Sequence, residues 1–221
     1  MTEVEWTTSN KARKMLQSIM NNPIISNRKL RLFACACVRS VWDLLENEKS
    51  RYAVQMSEKF ADGLISSEEL EKARHEAQQL CSYVTANALK TDAEKANVVA
   101  WIAYFCTRQT WGSAYQAALI EAWNPGKSVQ ANLLRDIMGN PLHPTEINSK
   151  YITPTVTSLA ISAYNKRDTQ TGHLDRSRLS ILADALEDQG DNILYPLICH
   201  LRNPEKHVRG CWALDTVLRK K

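Results

Sequence analysis

Three groups of residues in this chain have side chains that could do chemistry. The first is Cys35-Ala-Cys37. Two thiols one residue apart look like a ligand pair. On a helix, which turns about 100° per residue, their sulfurs point roughly 200° apart and cannot share an ion. The second is Cys199-His200 with His207 and Cys211. Thiolates and imidazoles are zinc ligands, but the close CxxC or HxxxH pairs of a zinc site are missing. His207 and Cys211 have i, i+4 spacing, and Gly210 interrupts it. This set reads as a buried thiol with two hydrogen-bonded or surface imidazoles, and none of the six cysteines is expected to hold a metal. The third group is Asp184, Glu187, Asp188 and Asp191, which falls on one helix face at i, i+3, i+4 and i+7. Paired carboxylates can serve acid–base chemistry or Mg²⁺. Here they lie where a helix ends, and the helix dipole disfavours them there. They read as a solvated face with a basic surface nearby. No Gly-rich phosphate loop, G-x-S-x-G elbow or H-E-x-x-H pair occurs. The expectation is no catalytic residue, no cofactor and no enzymatic activity.

The elements that would carry these residues are helices. Ser9 is placed to cap a first helix through about residue 21, ahead of Pro23. Ser26 starts a second, 27–47, with the stripe Leu30, Phe33, Ala34, Cys37, Val41, Leu44 and Leu45. Arg28, Lys29, Arg31 and Arg39 fall mostly off that stripe. A third helix from about Ser50 stops at Gly63. Ser66-Ser-Glu-Glu69 and Thr91-Asp-Ala-Glu94 are capping boxes. The first opens a helix expected to reach Lys90. Behind the second, 98–106 is apolar nearly all round and is expected at the centre of the bundle. Helices follow at 128–138, closed by Gly139-Asn-Pro, and at 154–165, with Thr153 as cap and Pro154 in the first turn. Residues 166–174 are polar, contain Gly172 and read as the most mobile internal segment. Short helices at 175–189, 193–202 and 210–219 close the chain.

Composition agrees with this reading. A chain of 221 residues with 44% hydrophobic and 24% charged residues can bury a core without staples. Only 7 Gly and 7 Pro lean away from a sheet protein. The net charge of +4 is uneven: residues 1–51 and 202–221 each carry +4, and residues 52–201 carry −4. A dedicated nucleic-acid binder concentrates more charge than this. Contact of the basic ends with acids of the middle is the simpler explanation. The acidic start Met1-Thr-Glu-Val-Glu-Trp has no apolar run behind it, so a signal peptide is not expected. Scattered cysteines in a chain without a membrane-length apolar run suit the cytoplasm. Of the six tryptophans, Trp6 and Trp212, near the ends, are the candidates for an interface.

Four segments together resemble a family. They are Lys29-Leu-Arg-Leu-Phe-Ala-Cys-Ala-Cys, Leu133-Leu-Arg-Asp-Ile-Met-Gly-Asn-Pro, Ile181-Leu-Ala-Asp-Ala-Leu-Glu-Asp and His207-Val-Arg-Gly-Cys-Trp. They resemble the uncharacterised multi-paralogue proteins of planctomycete bacteria, over nearly the whole chain. Ala183-Asp-Ala-Leu-Glu-Asp-Gln-Gly-Asp is similar to the short repeat-companion domain, with Ala185 where that domain usually has Trp. The resemblance implies an interaction module and supplies no catalytic residue.

The expected architecture is all-α: one helical domain over 1–221, with a multi-helix bundle at 9–165 and a C-terminal unit of short helices, 175–221, packed on it. The expected function is a non-enzymatic protein-interaction or regulatory module with a protein partner. The alternatives are a nucleic-acid-associated protein using its basic termini, or a metal-dependent or carboxylate-based enzyme. No membrane is expected as a partner. Arg202, Lys206, His207, Arg209 and Trp212 form the candidate interaction surface. In it, Val208, Trp212, Leu214, Val217 and Leu218 dock the last helix, and the basic residues stay outside.

Overall fold

A computed structural model of the chain describes residues 1–23, 25–79, 92–108, 110–118, 129–190 and 192–220. The stretch from 80 to Lys90, the side chains of the Thr91–Glu94 box, Cys81, Trp123 and Asp191 lie outside the described residues. Among the described residues the protein is all-α, with twelve α-helices and no strand. These are α1 (Glu3–Thr8), α2 (Ala12–Ile19), α3 (Asn27–Arg39), α4 (Glu48–Ala61), α5 (Ser67–Gln78), α6 (Asp92–Cys106), α7 (Thr110–Ala117), α8 (Val129–Met138), α9 (Pro154–Asn165), α10 (Arg176–Glu187), α11 (Tyr195–Arg202) and α12 (Trp212–Leu218). No helix among them is long and apolar enough to cross a membrane.

Local chemistry sets most of the starts. Ser66 and Glu69 exchange the two hydrogen bonds of a capping box ahead of α5. Ser26, Thr153 and Asp175 each accept a backbone N–H at the starts of α3, α9 and α10. Thr2 and Glu5 form a further box ahead of α1, so the chain's first helix begins seven residues before the expected Ser9. The expected second helix is shorter than its stripe: α3 ends at Arg39, and Trp42–Leu44 is a 3-10 turn.

Among the described residues two large cores organise the protein, with two small clusters where α5 packs on α4 and α6. The first joins α2, α3, α6, α7 and α8, with Trp6 from α1 and Val54 from α4. Its centre is α3, in which every residue from Leu30 to Arg39 is buried. Segment 98–106 was the expected centre. It buries Val99, Ile102, Ala103, Tyr104 and Cys106 and packs on α3 as one neighbour among several. Cys35 and Cys37 are both fully buried core residues. The second core holds α9 to α12. The helix 154–165, expected in the bundle, therefore packs with the C-terminal unit: Val156, Ala160, Ala163 and Tyr164 lie against α10 and α12.

The two cores meet along α8, α12 and the turn before α12. Val208 in that turn is buried in the first core. Gly210 has φ +90°, and a Cβ there would lie 2.8 Å from Leu32 Cδ1. Only glycine allows both the backbone conformation and the approach to α3. Gly139, at φ +68°, ends α8 in the same way under Trp212. Trp6 is 2% exposed and donates its indole N–H to the Gly139 carbonyl at 2.9 Å. It is a core residue and not the interface residue that its place near the terminus suggested.

The basic ends do meet acids of the middle, and they do so inside the protein. Asp62 has Arg28 at 3.0 Å, Arg209 at 2.8 Å and Lys220 at 3.4 Å. Glu58 has Arg39 at 2.5 Å and Arg167 at 2.6 Å. Arg39 also donates to the carbonyls of Thr169 and Gln170 at 2.9 and 2.8 Å. The loop 166–174 is thus tied to α3 and α4, and it pairs with Val208 through His173. Its polarity marked it as the freest segment. The buried Arg39 holds it instead.

Candidate functional site

The chemistry-bearing residues converge where the cores meet. Asp136 sits in the last turn of α8, and His200 in α11. His207 lies in the following loop, and Cys211 is the N-cap of α12. One donor atom from each lies within 4.8 Å of every other. Oδ1 of Asp136 is 2.7 Å from His207 Nδ1 and 3.0 Å from His200 Nε2. Sγ of Cys211 is 3.2 Å from His200 Nε2 and 3.9 Å from His207 Nδ1. Asp136, His207 and Cys211 are buried, and His200 is half-buried.

Each element positions its residue for a local reason. The other carboxylate oxygen of Asp136 accepts the Val208 N–H at 2.8 Å, which turns Oδ1 toward the imidazoles. The chain between His207 and Cys211 is a turn, closed by Cys211 N–H to the Val208 carbonyl at 3.0 Å. Leu174 N–H donates to the His207 carbonyl at 2.9 Å. Gly210 therefore helps to build the site. Its left-handed conformation brings residues 207 and 211 to one side without a helix. The ring of Trp212 packs 4.9 Å from that of His200. The cluster borders a pocket of about 670 Å³ whose walls include Trp6, Arg135, His143 and Trp212.

The electrostatics are those of a tightly coupled cluster. Burial alone would raise the Asp136 carboxyl, but the hydrogen bonds from His200 and His207 outweigh it and hold the group well below the usual carboxylate range. Burial pulls His207 toward the neutral form, and the Asp136 carboxylate more than reverses this. Burial and the nearby Asp136 charge push the Cys211 thiol well up. Oδ1 faces two imidazole nitrogens, each of which also faces the sulfur. Besides Asp136, the buried His207 ring also interacts with the Asn203 backbone.

A tetrahedral zinc ion with bonds of about 2.0–2.3 Å needs its donors roughly 3.3–3.7 Å apart. Four of the six donor pairs are 2.7 to 3.9 Å apart and all six lie within 4.8 Å, so the donors could close on one ion after small side-chain adjustments. Two imidazole nitrogens, a carboxylate oxygen and a thiolate are a zinc-type donor set, too soft for Ca²⁺ or Mg²⁺. Two neutral imidazoles, Asp⁻, Cys⁻ and Zn²⁺ sum to zero charge, which lowers the cost of burying the ion.

The expectation of no metal rested on spacing along the chain. The fold removes that premise by adding Asp136, 64 residues before His200. Cys199 is exposed, away from the cluster, and Cys35 and Cys37 belong to the first core. The five expected surface residues do not form one surface. His207 is 3% exposed, and the Arg209 side chain is 11% exposed on Asp62. Trp212 is half-buried against the second core. Arg202 and Lys206 are exposed. Arg202 pairs with Asp184 and Glu187 at 2.6 Å each, which supplies the basic neighbour expected for the acid cluster. The apolar docking set behaves as expected, with Val208, Leu214 and Val217 buried.

An all-α protein of two cores clasped by a buried Asp–His–His–Cys cluster is the class that these observations define. No known protein family, curated protein or solved structure matches the chain.

Proposed function

We propose that this protein is a non-enzymatic interaction or regulatory module in which Asp136, His200, His207 and Cys211 hold a structural zinc ion. The convergence of the four donors in a buried junction carries the reading. An ion there ties α8 of the first core to α11 and α12 of the second. Four protein ligands fill a tetrahedral shell and leave no position for a water or substrate, which favours a structural role over a catalytic one. The nucleic-acid alternative is weakened because the basic ends spend Arg28, Arg39 and Arg209 on internal carboxylates. The resemblance to planctomycete multi-paralogue proteins supports an interaction role with a protein partner.

Elemental analysis of protein purified without chelator tests the site. About one zinc per chain is expected, and fewer than about 0.2 equivalents of any transition metal refutes it. Cobalt(II) in a tetrahedral sulfur-containing site absorbs in the visible, and Cys211→Ser should abolish the sulfur-to-cobalt band while circular dichroism stays helical. An unchanged cobalt spectrum in Cys211→Ser would remove Cys211 from the ligand set. Measurable hydrolytic turnover lost together with the metal would favour the enzyme alternative.

A further inference from the structure

A second group of residues, independent of the metal reading, surrounds Arg31 of α3. Arg31 is 8% exposed. Its guanidinium donates to the carbonyls of Cys106 at 2.5 Å and Arg108 at 3.0 Å and lies 5.1 Å from the centre of the Phe60 ring. Among the described residues, no carboxylate pairs with it. Burial of this charge without an acid lowers its pKa. Every other buried arginine ion pair here has a carboxylate: Glu58 for Arg39, and Asp62 and Asp215 for the more open Arg28. A buried ion without a counter-ion is costly, and proteins normally keep one only with a partner.

The same Arg31 lines an open pocket of about 900 Å³, between α3, α4, α5 and the end of α6. Three more arginines reach it: Arg28, Arg74 and Arg108. Arg28 is neutralised by Asp62 and Asp215, and Arg74 pairs with Glu71 on the same helix turn. Arg108 is exposed, and among the described residues it has aromatic neighbours but no carboxylate. Among the described residues, two guanidinium charges, those of Arg31 and Arg108, are therefore left over in one concavity. Each guanidinium has five N–H donors, and Arg31 uses two on carbonyls.

We infer that this pocket binds a small molecule bearing a phosphomonoester, with the phosphate between Arg31, Arg108 and Arg74. A phosphomonoester carries about −1.5 to −2 charges at neutral pH, which matches the two uncompensated guanidiniums. Guanidiniums bind phosphate oxygens in pairs of parallel hydrogen bonds. The volume exceeds that of a bare phosphate and falls in the usual range for organic ligands. Phe105 on the wall offers an apolar face to the rest of the molecule. The Arg74–Glu71 pair is partly exposed, so Arg74 is free to exchange its carboxylate for the ligand.

The probes are AMP, adenosine and inorganic phosphate, titrated calorimetrically into the full chain at low ionic strength. AMP should bind with Kd below about 1 mM, adenosine should not, and inorganic phosphate should compete. Arg108→Gln and Arg74→Gln should each weaken AMP roughly tenfold or more with an unchanged melting temperature, since neither side chain supports the core. Arg31→Gln should abolish binding, but the two outer variants decide the matter if it misfolds. No AMP or phosphate binding at 10-fold higher concentrations (about 10 mM), or equal affinity in the Arg74 and Arg108 variants, overturns the inference. A short single-stranded DNA that binds where AMP does not also overturns it, in favour of nucleic-acid association. Zinc content bears on none of these outcomes, so the two sites fail or stand separately.

Discussion

Glu58 in the first half of the chain and Asp136 at the junction of the cores are both buried carboxylates, 2% and 6% exposed. Their partners differ in kind. Glu58 is held by Arg39 and Arg167, two groups that never lose their charge and that fit a carboxylate as rigid forks. The result is a closed ion cluster that locks the 166–174 loop to α3 and α4. Asp136 is held by two imidazoles, which in turn face the Cys211 thiol, and these groups trade protons and can bind metals. Equal burial of a carboxylate thus gives a structural clamp in one place and a cluster of titratable, metal-capable groups in the other. The partner chemistry decides between the two. Arg31 adds a third case, a buried cation with no carboxylate partner among the described residues.

The largest expected effect breaks the clamp. Glu58→Ala leaves Arg39 and Arg167 without their counter-charge, at a cost of roughly 3–5 kcal/mol. At about 2–4 °C per kcal/mol for a chain of this size, the melting temperature should fall by roughly 10 °C. The loss should be the same with or without chelator. A shift of under about 2 °C would show that the clamp contributes little.

The junction should behave in the opposite way. Asp136→Asn keeps the shape and removes the charge, so on the proposed zinc site its cost should depend on the metal. A bound ion stabilises by mass action, and the gap in melting temperature between wild type and variant should shrink by about half or more once chelator is added. A gap that ignores chelator would place Asp136 with Glu58, as a plain structural carboxylate.

Acid sharpens the contrast on the Glu58 side. Burial alone would raise this carboxyl, but Arg39 and Arg167 hold it below its ordinary value of 4.5. A depressed folded value means that stability is fully present above pH 4.5 and is lost as pH falls through the lower folded value. Wild type should therefore lose more stability than Glu58→Gln on acidification from pH 5 to about pH 3. Parallel curves for the two proteins would contradict this.

The smallest effect is expected on the solvent side. Arg202→Ala removes two ion pairs with Asp184 and Glu187, and its side chain is 38% exposed. Solvent screens such pairs, so the melting temperature should not measurably change. A clear drop would mean that the acid face of α10 contributes to stability beyond solvation.

Much of the local structure could be read from single residues. Ser66 with Glu69, Thr153 with Pro154, Ser26 and Asp175 announce helix starts, because a cap is a contact over two or three residues. The burial of α3 could not be read this way. Its arginines suggested a solvent face, yet Arg31 and Arg39 are inside, where carbonyls and Glu58 receive them. Asp136 was equally hidden. The only clue was its place three residues after Leu133, beside the apolar stripe of α8.

The sequence by itself determined an all-α protein, its caps, and a last helix docked by Val208, Leu214 and Val217. These follow from interactions within a few residues of chain and from apolar periodicity. Tertiary structure decided which helix lies at the centre, which core takes α9, and that Asp136, His200, His207 and Cys211 meet. Those outcomes depend on groups 60 or more residues apart, such as Asp136 and His200. They are set by how two cores pack around Gly210 and Gly139, and spacing along the chain carries no signal for that.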